Sequence, residues 1–142
     1  MTASASRPWV VVTANVNGIR AAGRRGGLQW LAAAGADVIC LQEVRATHEQ
    51  LHEALGESAL AGWHVAHAPA PTLGRAGVAV LTRSAPSAVR QRTRVDEIDG
   101  QGRWIEVDVD GPGLPVTVVS AYVHTGEAVS YTHLTLPTIY SV

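Results

Sequence analysis

Residues 36–45 read Ala-Asp-Val-Ile-Cys-Leu-Gln-Glu-Val-Arg, and this stretch sets the class of fold that we expect. Its middle, residues 37–42, is an almost continuous apolar run with the length of a β-strand. Such runs are typical of strands covered on both faces, because a strand with one solvated face alternates apolar and polar residues. Glu43 follows the run directly. We therefore predict a buried strand over residues 37–42 with a carboxylate at its carboxyl end.

The segments around this run alternate between strand and helix patterns. Residues 9–15 are rich in β-branched side chains and lead into Asn-Val-Asn-Gly, which predicts a strand and a turn. Residues 27–34 carry apolar side chains at helical spacing and precede Gly35, a residue suited to the end of a helix. Thr47 and Gln50 fit a capping box that begins a second helix. The first sixty residues therefore predict the order β-α-β-α.

The second half of the chain is rich in strand patterns. Residues 103–109 alternate apolar and polar side chains, as in a strand with one solvated face. Arg90, Arg92 and Arg94 alternate within another predicted strand, and we interpret them as a solvated edge of the sheet. The whole pattern predicts a mixed α/β layer structure. The remaining predicted strands span residues 63–68, 77–82, 88–95 and 116–123.

Composition excludes several classes of protein. The chain has 142 residues, 46% of them hydrophobic, which suffices for one domain and excludes a disordered or collagen-like chain. Its formal net charge of −1 gives no overall basic field, so contacts with nucleic acid would need a local patch. Cys40 is the only cysteine, which excludes an internal disulfide and a cysteine-ligated zinc site. We interpret Cys40 as a small core residue.

The sequence shows no signal for a membrane or for secretion. No apolar run approaches the length of a membrane span, and residues 1–8 are polar rather than a secretory signal. We therefore expect a cytoplasmic protein without a membrane partner. We also predict that residues 1–8 are a disordered N-terminus and that the domain spans residues 9–128.

The last fourteen residues differ from the rest of the chain. Residues 129–142 read Val-Ser-Tyr-Thr-His-Leu-Thr-Leu-Pro-Thr-Ile-Tyr-Ser-Val and hold two of the three tyrosines but none of the eleven basic and twelve acidic residues. Back-translation of residues 129–138 gives codons that resemble the transposase adaptor of short-read sequencing libraries. The alternative is a natural, β-prone tail. We predict that residues 129–142 are a non-native tail and exclude them from reasoning about the fold.

Two polar residues stand at the carboxyl ends of the first two predicted strands. Asn15 ends the first strand, and Glu43 follows the second. If these strands are parallel neighbours, both residues reach one edge of the sheet, where α/β proteins bind ligands. A carboxylate and an amide oxygen at such an edge suit Mg²⁺, which prefers oxygen ligands and keeps several waters. The alternative is a turn-forming asparagine and a glutamate that faces solvent.

Three arginines lie in the glycine-rich segment 17–27. Glycine lets backbone amides approach an anion, and Arg20, Arg24 and Arg25 could hold phosphates along a nucleic-acid backbone. The alternative is a flexible loop with solvated arginines. Tyr122, at the end of the last predicted strand, could donate a hydrogen bond to a phosphate oxygen or could simply be a half-buried strand residue.

Taken together, these segments resemble the exonuclease III and apurinic-endonuclease branch of the endonuclease/exonuclease/phosphatase superfamily. The most specific part of the resemblance is residues 36–45. The resemblance implies an α/β fold that is the N-terminal half of a four-layer α/β sandwich, with one mixed sheet and helices on one face. The matching segments span residues 15–21, 27–30, 36–45, 77–82 and 120–123.

The resemblance also implies roles for the site residues. Glu43 would bind the catalytic Mg²⁺ or Mn²⁺, with Asn15 beside it and Asn17 contributing indirectly. Tyr122 would contact the scissile phosphate, and Arg20 would place the DNA backbone. The implied activity is metal-dependent hydrolysis of DNA phosphodiesters in DNA repair, as a 3′→5′ exodeoxyribonuclease, an abasic-site endonuclease or both. The implied partner is double-stranded DNA, abasic or nicked, bound by a monomer near the bacterial nucleoid.

The sequence departs from the family in what it lacks. A Gly-Asp-x-Asn element and a terminal Ser-Asp-His element supply the family's water-activating aspartate and its Asp–His pair, and neither occurs in the 142 residues. We therefore expect this chain to be an inactive fragment of a nuclease. We also expect the inner face of its sheet to lack a partner and to expose apolar surface. The alternatives are another phosphoesterase of the superfamily, of the phosphatase or sphingomyelinase type, and a non-catalytic nucleic-acid-binding fragment.

Overall fold

The structure is a computed structural model and describes residues 7–72 and 74–123. The predicted tail over residues 129–142 and most of the predicted N-terminal segment lie outside these residues, so both assignments stay predictions. The helices in the described residues are α1 Ile19–Arg24, α2 Gly27–Ala33 and α3 His48–Gly56. The strands are β1 Val11–Asn15, β2 Val38–Gln42, β3 His64–Ala68, β4 Val78–Thr82, β5 Ala88–Arg90, β6 Trp104–Asp110 and β7 Pro115–Ala121.

Four strands form a mixed sheet in the order β1-β2-β4-β3. β1 and β2 are parallel, whereas β4 is antiparallel to both of its neighbours. All three helices pack their apolar side chains on one face of this sheet. The α/β class, with a mixed sheet and helices on one face, is therefore confirmed. The buried side chains on this face include Ile19, Leu28, Leu31, Ile39, Leu41, Leu51, Leu55 and Leu81.

β2 lies inside the sheet and is buried on both faces, as its continuous apolar run predicts. Ile39 and Leu41 face the helices, whereas Val38 and Cys40 point to the opposite side. Burial raises the pKa of the Cys40 thiol to about 11. Cys40 is therefore a small core residue, as predicted, because a reactive cysteine requires an accessible thiolate.

The later strands form a second sheet instead of extending the first one. β5, β6 and β7 are antiparallel neighbours in that order. Ile105, Val107 and Val109 alternate along β6 and pack with Val38 and Val80 on the face of the first sheet that is opposite the helices. The expectation of a single sheet with an exposed inner face is therefore wrong. The period-2 pattern of β6 provides the apolar face that covers the first sheet.

The arginine-containing segment after β1 forms a helix, α1, which the predicted order β-α-β-α does not include. The helix was not predicted because the glycines and arginines of this segment are also common in turns and solvated loops. Ile19 is fully buried and anchors α1 to the sheet. Arg24 lies in the last turn, where a positive charge interacts favourably with the helix dipole. The alternative of a flexible loop is therefore wrong over residues 19–24.

β5 ends at Arg90, which is earlier than the sequence predicted. The carboxylate of Asp99 accepts hydrogen bonds from the backbone N–H groups of Thr93, over 2.7 Å, and Arg94, over 3.0 Å. These bonds stabilise a turn that takes the chain away from the sheet. Arg92 and Arg94 therefore do not share a strand face with Arg90, and that part of the prediction is wrong.

α3 begins at the capping box that the sequence predicts. Oγ1 of Thr47 accepts a hydrogen bond from the N–H of Gln50 over 3.1 Å, and Oε1 of Gln50 accepts one from the N–H of Thr47 over 3.0 Å. Leu51 and Leu55 follow on the buried face of the helix. None of the helices in the described parts of the chain is long and apolar enough to cross a membrane.

Removing a side chain between the two sheets should destabilise the fold. Ile105 of β6 is fully buried there, whereas Val119 of β7 lies on the outer face and is 39% exposed. We expect Ile105→Ala to lower the free energy of unfolding by about 2–5 kcal/mol, because it leaves a cavity. Val119→Ala should lower it by less than about 1 kcal/mol. Urea denaturation followed by circular dichroism measures both, and equal effects would contradict the packing of the two sheets.

A buried histidine should make the stability depend on pH. His67 is 4% exposed, and its Nδ1 lies 3.0 Å from Nδ1 of His48 on α3. Burial, together with the charges of His48 and His52, lowers the pKa of His67 from 6.5 to about 4. The unfolded chain therefore takes up this proton at a higher pH than the folded chain, so stability falls as the pH falls through this window.

We expect His67→Gln to flatten the pH dependence of the unfolding free energy between pH 6.5 and about 4. Urea denaturation at several pH values measures the effect. His64→Gln, at an exposed position of the same strand, is the matched control and should retain the dependence of the parent chain. Identical pH dependence in His67→Gln and the parent would contradict the neutral, buried state of His67.

Candidate active site

Parallel pairing of β1 with β2 brings their carboxyl ends to one edge of the sheet. Asn15, the last residue of β1, is in register with Gln42, the last residue of β2. Glu43 comes next, and the side chain of Asn15 donates a hydrogen bond to its carboxylate. The structure therefore brings together the two residues that the sequence places at this edge.

Asn17 contacts Asn15 through its backbone. Its N–H donates a hydrogen bond to Oδ1 of Asn15 over 3.1 Å, and the residue itself is exposed with a φ of 48°. This bond orients the amide of Asn15, and the indirect contribution that the resemblance implies for Asn17 would act through it. Its role in metal binding stays a prediction.

The backbone at Glu43 is held in a conformation that residues with a side chain rarely adopt. Glu43 and Arg45 have φ angles of 51° and 52°, and Ala76 in the adjacent loop has a φ of 43°. The carbonyl of Glu43 accepts a bond from the N–H of Gly18 over 2.8 Å, and the N–H of Arg45 donates to the carbonyl of Ala76 over 2.9 Å. Such strain costs about 1–3 kcal/mol per residue and is concentrated at functional sites. The strain therefore marks Glu43 and Arg45 as functional candidates.

Two further side chains hold the Glu43 carboxylate. The hydroxyl of Tyr122 donates a hydrogen bond to Oε1 over 2.9 Å, and the guanidinium of Arg45 forms an ion pair with Oε2 over 2.9 Å. Tyr122 directly follows β7, so the second sheet contributes to the site. The side chain of Glu43 is 15% exposed. The carboxylate is therefore largely enclosed but remains open to solvent on one side.

Burial alone would raise the pKa of Glu43, but its neighbours outweigh this effect. Hydrogen bonds from Tyr122 and Asn15 and the charge of Arg45 hold the pKa of Glu43 below its usual 4.5. The hydrogen bond to Glu43, burial and the charge of that carboxylate raise the pKa of Tyr122 above its usual 10. At neutral pH the site therefore combines an ionised carboxylate with a protonated phenol.

The three predicted phosphate-binding arginines lie at different places. Arg20 donates a hydrogen bond to the backbone carbonyl of Arg45 over 3.4 Å, so it borders the site. Arg24 and Arg20 line a groove of about 640 Å³ together with Glu53 of α3 and Glu57, the residue that caps α3. Arg25 is the C-terminal capping residue of α1. The contacts of these arginines with DNA phosphates stay predictions.

The donor set fits a water-rich Mg²⁺ site. Glu43 offers a carboxylate and Asn15 an amide oxygen, both of the type that Mg²⁺ prefers. Within residues 7–72 and 74–123, no group of three or more histidine, cysteine, aspartate or glutamate side chains could hold a metal ion. Mg²⁺ often uses one or two carboxylates together with waters and substrate phosphates.

Sequence reasoning missed two arginines that shape the site. Arg45 pairs with Glu43, and Nε of Arg103 donates a hydrogen bond to the carbonyl of Tyr122 over 3.2 Å. The only sequence signal for Arg45 is a basic residue two positions after the carboxylate. Arg103 has no such signal, because its contact depends on the pairing of β6 with β7.

The sequence matches the endonuclease/exonuclease/phosphatase family over residues 12–139. The chain belongs to this family. It is 32% identical over 118 residues to exodeoxyribonuclease III of Haemophilus influenzae, a match that covers 82% of the chain and 42% of the relative. The fold is similar to an AP endonuclease from Archaeoglobus fulgidus, with 25% identity, a TM-score of 0.64 and coverage of 80% of this chain and 40% of that one.

A further similar structure is NExo, a 3′ phosphatase from Neisseria bound to a product DNA hairpin, with 28% identity and a TM-score of 0.62. The similarity covers 79% of this chain and 40% of NExo. These matches confirm the resemblance to exonuclease III and AP endonucleases. The chain spans less than half the length of each of these three relatives. The family match runs into residues 129–142, so it does not separate that segment from the rest.

The lowered pKa of Glu43 predicts how acid affects stability. In the unfolded chain the carboxylate binds its proton near pH 4.5, above the pKa in the folded chain. The contribution of Glu43 to stability is therefore complete above that pH and is lost as the pH falls through the folded pKa. We expect Glu43→Gln to reduce the loss of unfolding free energy below about pH 4.5, as measured by urea denaturation.

Tyr122→Phe should reduce this acid dependence only in part, because Asn15 and Arg45 remain on the carboxylate. The same denaturation series on Tyr122→Phe provides the comparison. An acid dependence in Glu43→Gln as steep as in the parent would show that the donors do not stabilise the ionised carboxylate.

Proposed function

We propose that the chain is part of a DNA-repair nuclease that hydrolyses DNA phosphodiesters with Mg²⁺ or Mn²⁺, as a 3′→5′ exodeoxyribonuclease, an abasic-site endonuclease or both. The observation that carries the proposal is the meeting of Asn15 and Tyr122 on one carboxylate, that of Glu43. Membership of the family supports a phosphoester hydrolase. The similarity to an exodeoxyribonuclease III and to a phosphatase bound to a DNA hairpin supports DNA as the substrate.

Each side chain has a task that its position permits. Glu43, ionised at neutral pH, would hold Mg²⁺ through a carboxylate oxygen, with the amide oxygen of Asn15 beside it. When bound, the metal would stabilise negative charge on the phosphate and on the leaving oxygen. Tyr122, protonated at neutral pH, donates its one hydroxyl proton to Glu43 in this structure and would turn it to a phosphate oxygen when the substrate binds.

The local charge supports a phosphate-rich substrate. Although the net charge of the chain is −1, Arg45 pairs with Glu43, and Arg20 and Arg103 donate to the backbone carbonyls of Arg45 and Tyr122. A local excess of positive charge attracts a nucleic-acid backbone even when the whole molecule is not basic. We propose that the bound partner is double-stranded DNA with an abasic site or a nick. We also propose that the protein acts as a monomer in the bacterial cytoplasm, near the nucleoid.

We propose that the 142-residue chain is inactive by itself. Hydrolysis needs a base or an equivalent group that activates the attacking water. The sequence lacks the Gly-Asp-x-Asn and Ser-Asp-His elements that would supply it. In the described residues, Glu43 has Tyr122, Asn15 and Arg45 on its carboxylate and a pKa below its usual value, which makes it a poor base.

The proposal is tested by completing the domain. Residues 1–123 are joined to the remaining part of the Haemophilus exodeoxyribonuclease III, and this hybrid is assayed with Mg²⁺ on three labelled duplexes. One duplex carries an abasic-site analogue, one a recessed 3′ end and one a 3′ phosphate. We expect Mg²⁺-dependent hydrolysis by the hybrid, none by the 142-residue chain, and a loss of about 10²-fold or more in the hybrid with Glu43→Gln.

Glu49→Gln, an exposed glutamate in the first turn of α3, is the matched control and should leave the hybrid active. An active hybrid that does not need Glu43 would contradict the role of Glu43. Hydrolysis by the 142-residue chain that Glu43→Gln abolishes would support the function and contradict the inactivity. A hybrid that cleaves small phosphate esters but no duplex would favour another phosphoesterase of the family.

A further inference from the structure

We propose that Ser120 and Gln42 are positioning residues: their contact across the two sheets fixes the place at which the hydroxyl of Tyr122 meets the carboxylate of Glu43. This inference rests on the proposed function in one respect, because it takes from it the roles of Tyr122 and Glu43. Its test requires neither hydrolysis nor a metal, so the two proposals can fail separately.

Ser120 is a buried polar residue in an apolar interface. It is 1% exposed, and Val118 and Ile105 are buried close to it on the inner face of the second sheet. Its hydroxyl donates a hydrogen bond to the carbonyl of Leu41 over 2.9 Å and accepts one from Nε2 of Gln42 over 3.1 Å. A buried hydroxyl without partners would be costly, so Ser120 requires hydrogen-bond partners where it lies, and these two bonds supply them. Together they tie β7 to the end of β2.

The contact between Ser120 and Gln42 lies next to the contact between Tyr122 and Glu43. Gln42 and Glu43 are consecutive, and Ser120 and Tyr122 are two positions apart, which places both on the inner face of the second sheet. A strand advances about 3.3 Å per residue. A shift of one sheet by a single residue would therefore break the 2.9 Å hydrogen bond of Tyr122.

Apolar packing alone does not set the position of one sheet on the other so closely. Hydrophobic stabilisation has no direction and depends mainly on the area that is buried. Hydrogen bonds weaken steeply when their distance or angle changes. The two bonds of Ser120 therefore supply the directional restraint that the valine and isoleucine side chains between the sheets lack.

Thr13 provides a matched control, because it shares Gln42 without linking the sheets. Its Oγ1 donates to Oε1 of Gln42 over 3.2 Å and accepts from Nε2 of the same residue over 3.0 Å. Thr13 belongs to β1, so this contact remains within the first sheet. Loss of the Thr13 contact therefore disturbs Gln42 but retains the connection between β2 and β7.

The test compares three changes that remove hydrogen bonds with little change in volume: Ser120→Ala, Gln42→Met and Thr13→Val. The readout is the near-ultraviolet absorption of Tyr122, obtained as the difference between each protein and the same protein with Tyr122→Phe. A phenol that donates to a carboxylate absorbs at longer wavelength than a phenol in water. We expect Ser120→Ala and Gln42→Met to shift this absorption to that of a solvated tyrosine, and Thr13→Val to retain it.

A double-mutant cycle on the unfolding equilibrium constant provides the second readout. In the Ser120→Ala background, the effect of Tyr122→Phe should be smaller than in the parent by about threefold or more, because Tyr122 has already lost its contact. In the Thr13→Val background, Tyr122→Phe should have its full effect.

An unchanged Tyr122 absorption in both Ser120→Ala and Gln42→Met, together with additive effects in the cycle, would overturn the proposal and leave Ser120 with a structural role alone. If Ser120→Ala does not fold, the absorption of Gln42→Met alone tests the proposal. Gln42 is only partly buried, so its substitution disturbs the fold less. A shift of the Tyr122 absorption to that of a solvated tyrosine in Thr13→Val would also overturn the proposal. The contact within the first sheet, and not the contact between the sheets, would then position Tyr122.

Discussion

The ionised carboxylate of Glu43 is the group on which the geometry of the candidate site depends. Asn15 reaches it from β1, Arg45 from the loop that follows β2, and Tyr122 from the end of β7. A largely enclosed carboxylate is costly unless it is paired or binds a cation. The three partners offset that cost and keep the group ionised. The strained backbone at Glu43 adds a further cost, which is consistent with selection for function rather than for stability.

The two sheets have separate tasks at this edge. The first sheet supplies the carboxylate and the amide oxygen that suit a metal ion, because the parallel strands β1 and β2 end side by side. The second sheet supplies the phenol, because its apolar face packs on the first sheet and carries Tyr122 over the end of β2. A local cluster of arginines then gives positive charge to a molecule whose net charge is −1. The proposed recognition of phosphate would therefore follow from where these arginines lie and not from the overall composition.

Short-range patterns predicted the parts of the fold that depend on local rules. The apolar run predicted β2, and the capping box predicted the start of α3. The approach of Asn15 to Glu43 was also predicted, because parallel neighbouring strands end at one edge of the sheet. The sequence pointed to Tyr122 as a phosphate-binding candidate at the end of a strand, but its contact with Glu43 was not predicted, because that contact joins residues 79 positions apart. Long-range packing also explains why the second sheet was not predicted. Positive φ angles, which place Arg45 on Glu43, leave no pattern in the sequence.

The proposed function rests on the claim that Glu43 and Asn15 together bind a divalent cation. Titration of the isotope-labelled chain with Mn²⁺, a paramagnetic substitute for Mg²⁺, measures this through selective broadening of backbone amide signals. The claim predicts that signals of residues 15–18 and 43–45 broaden first, that excess Mg²⁺ reverses the effect, and that Glu43→Gln abolishes it. Broadening centred elsewhere, or the same broadening in Glu43→Gln, would contradict the claim.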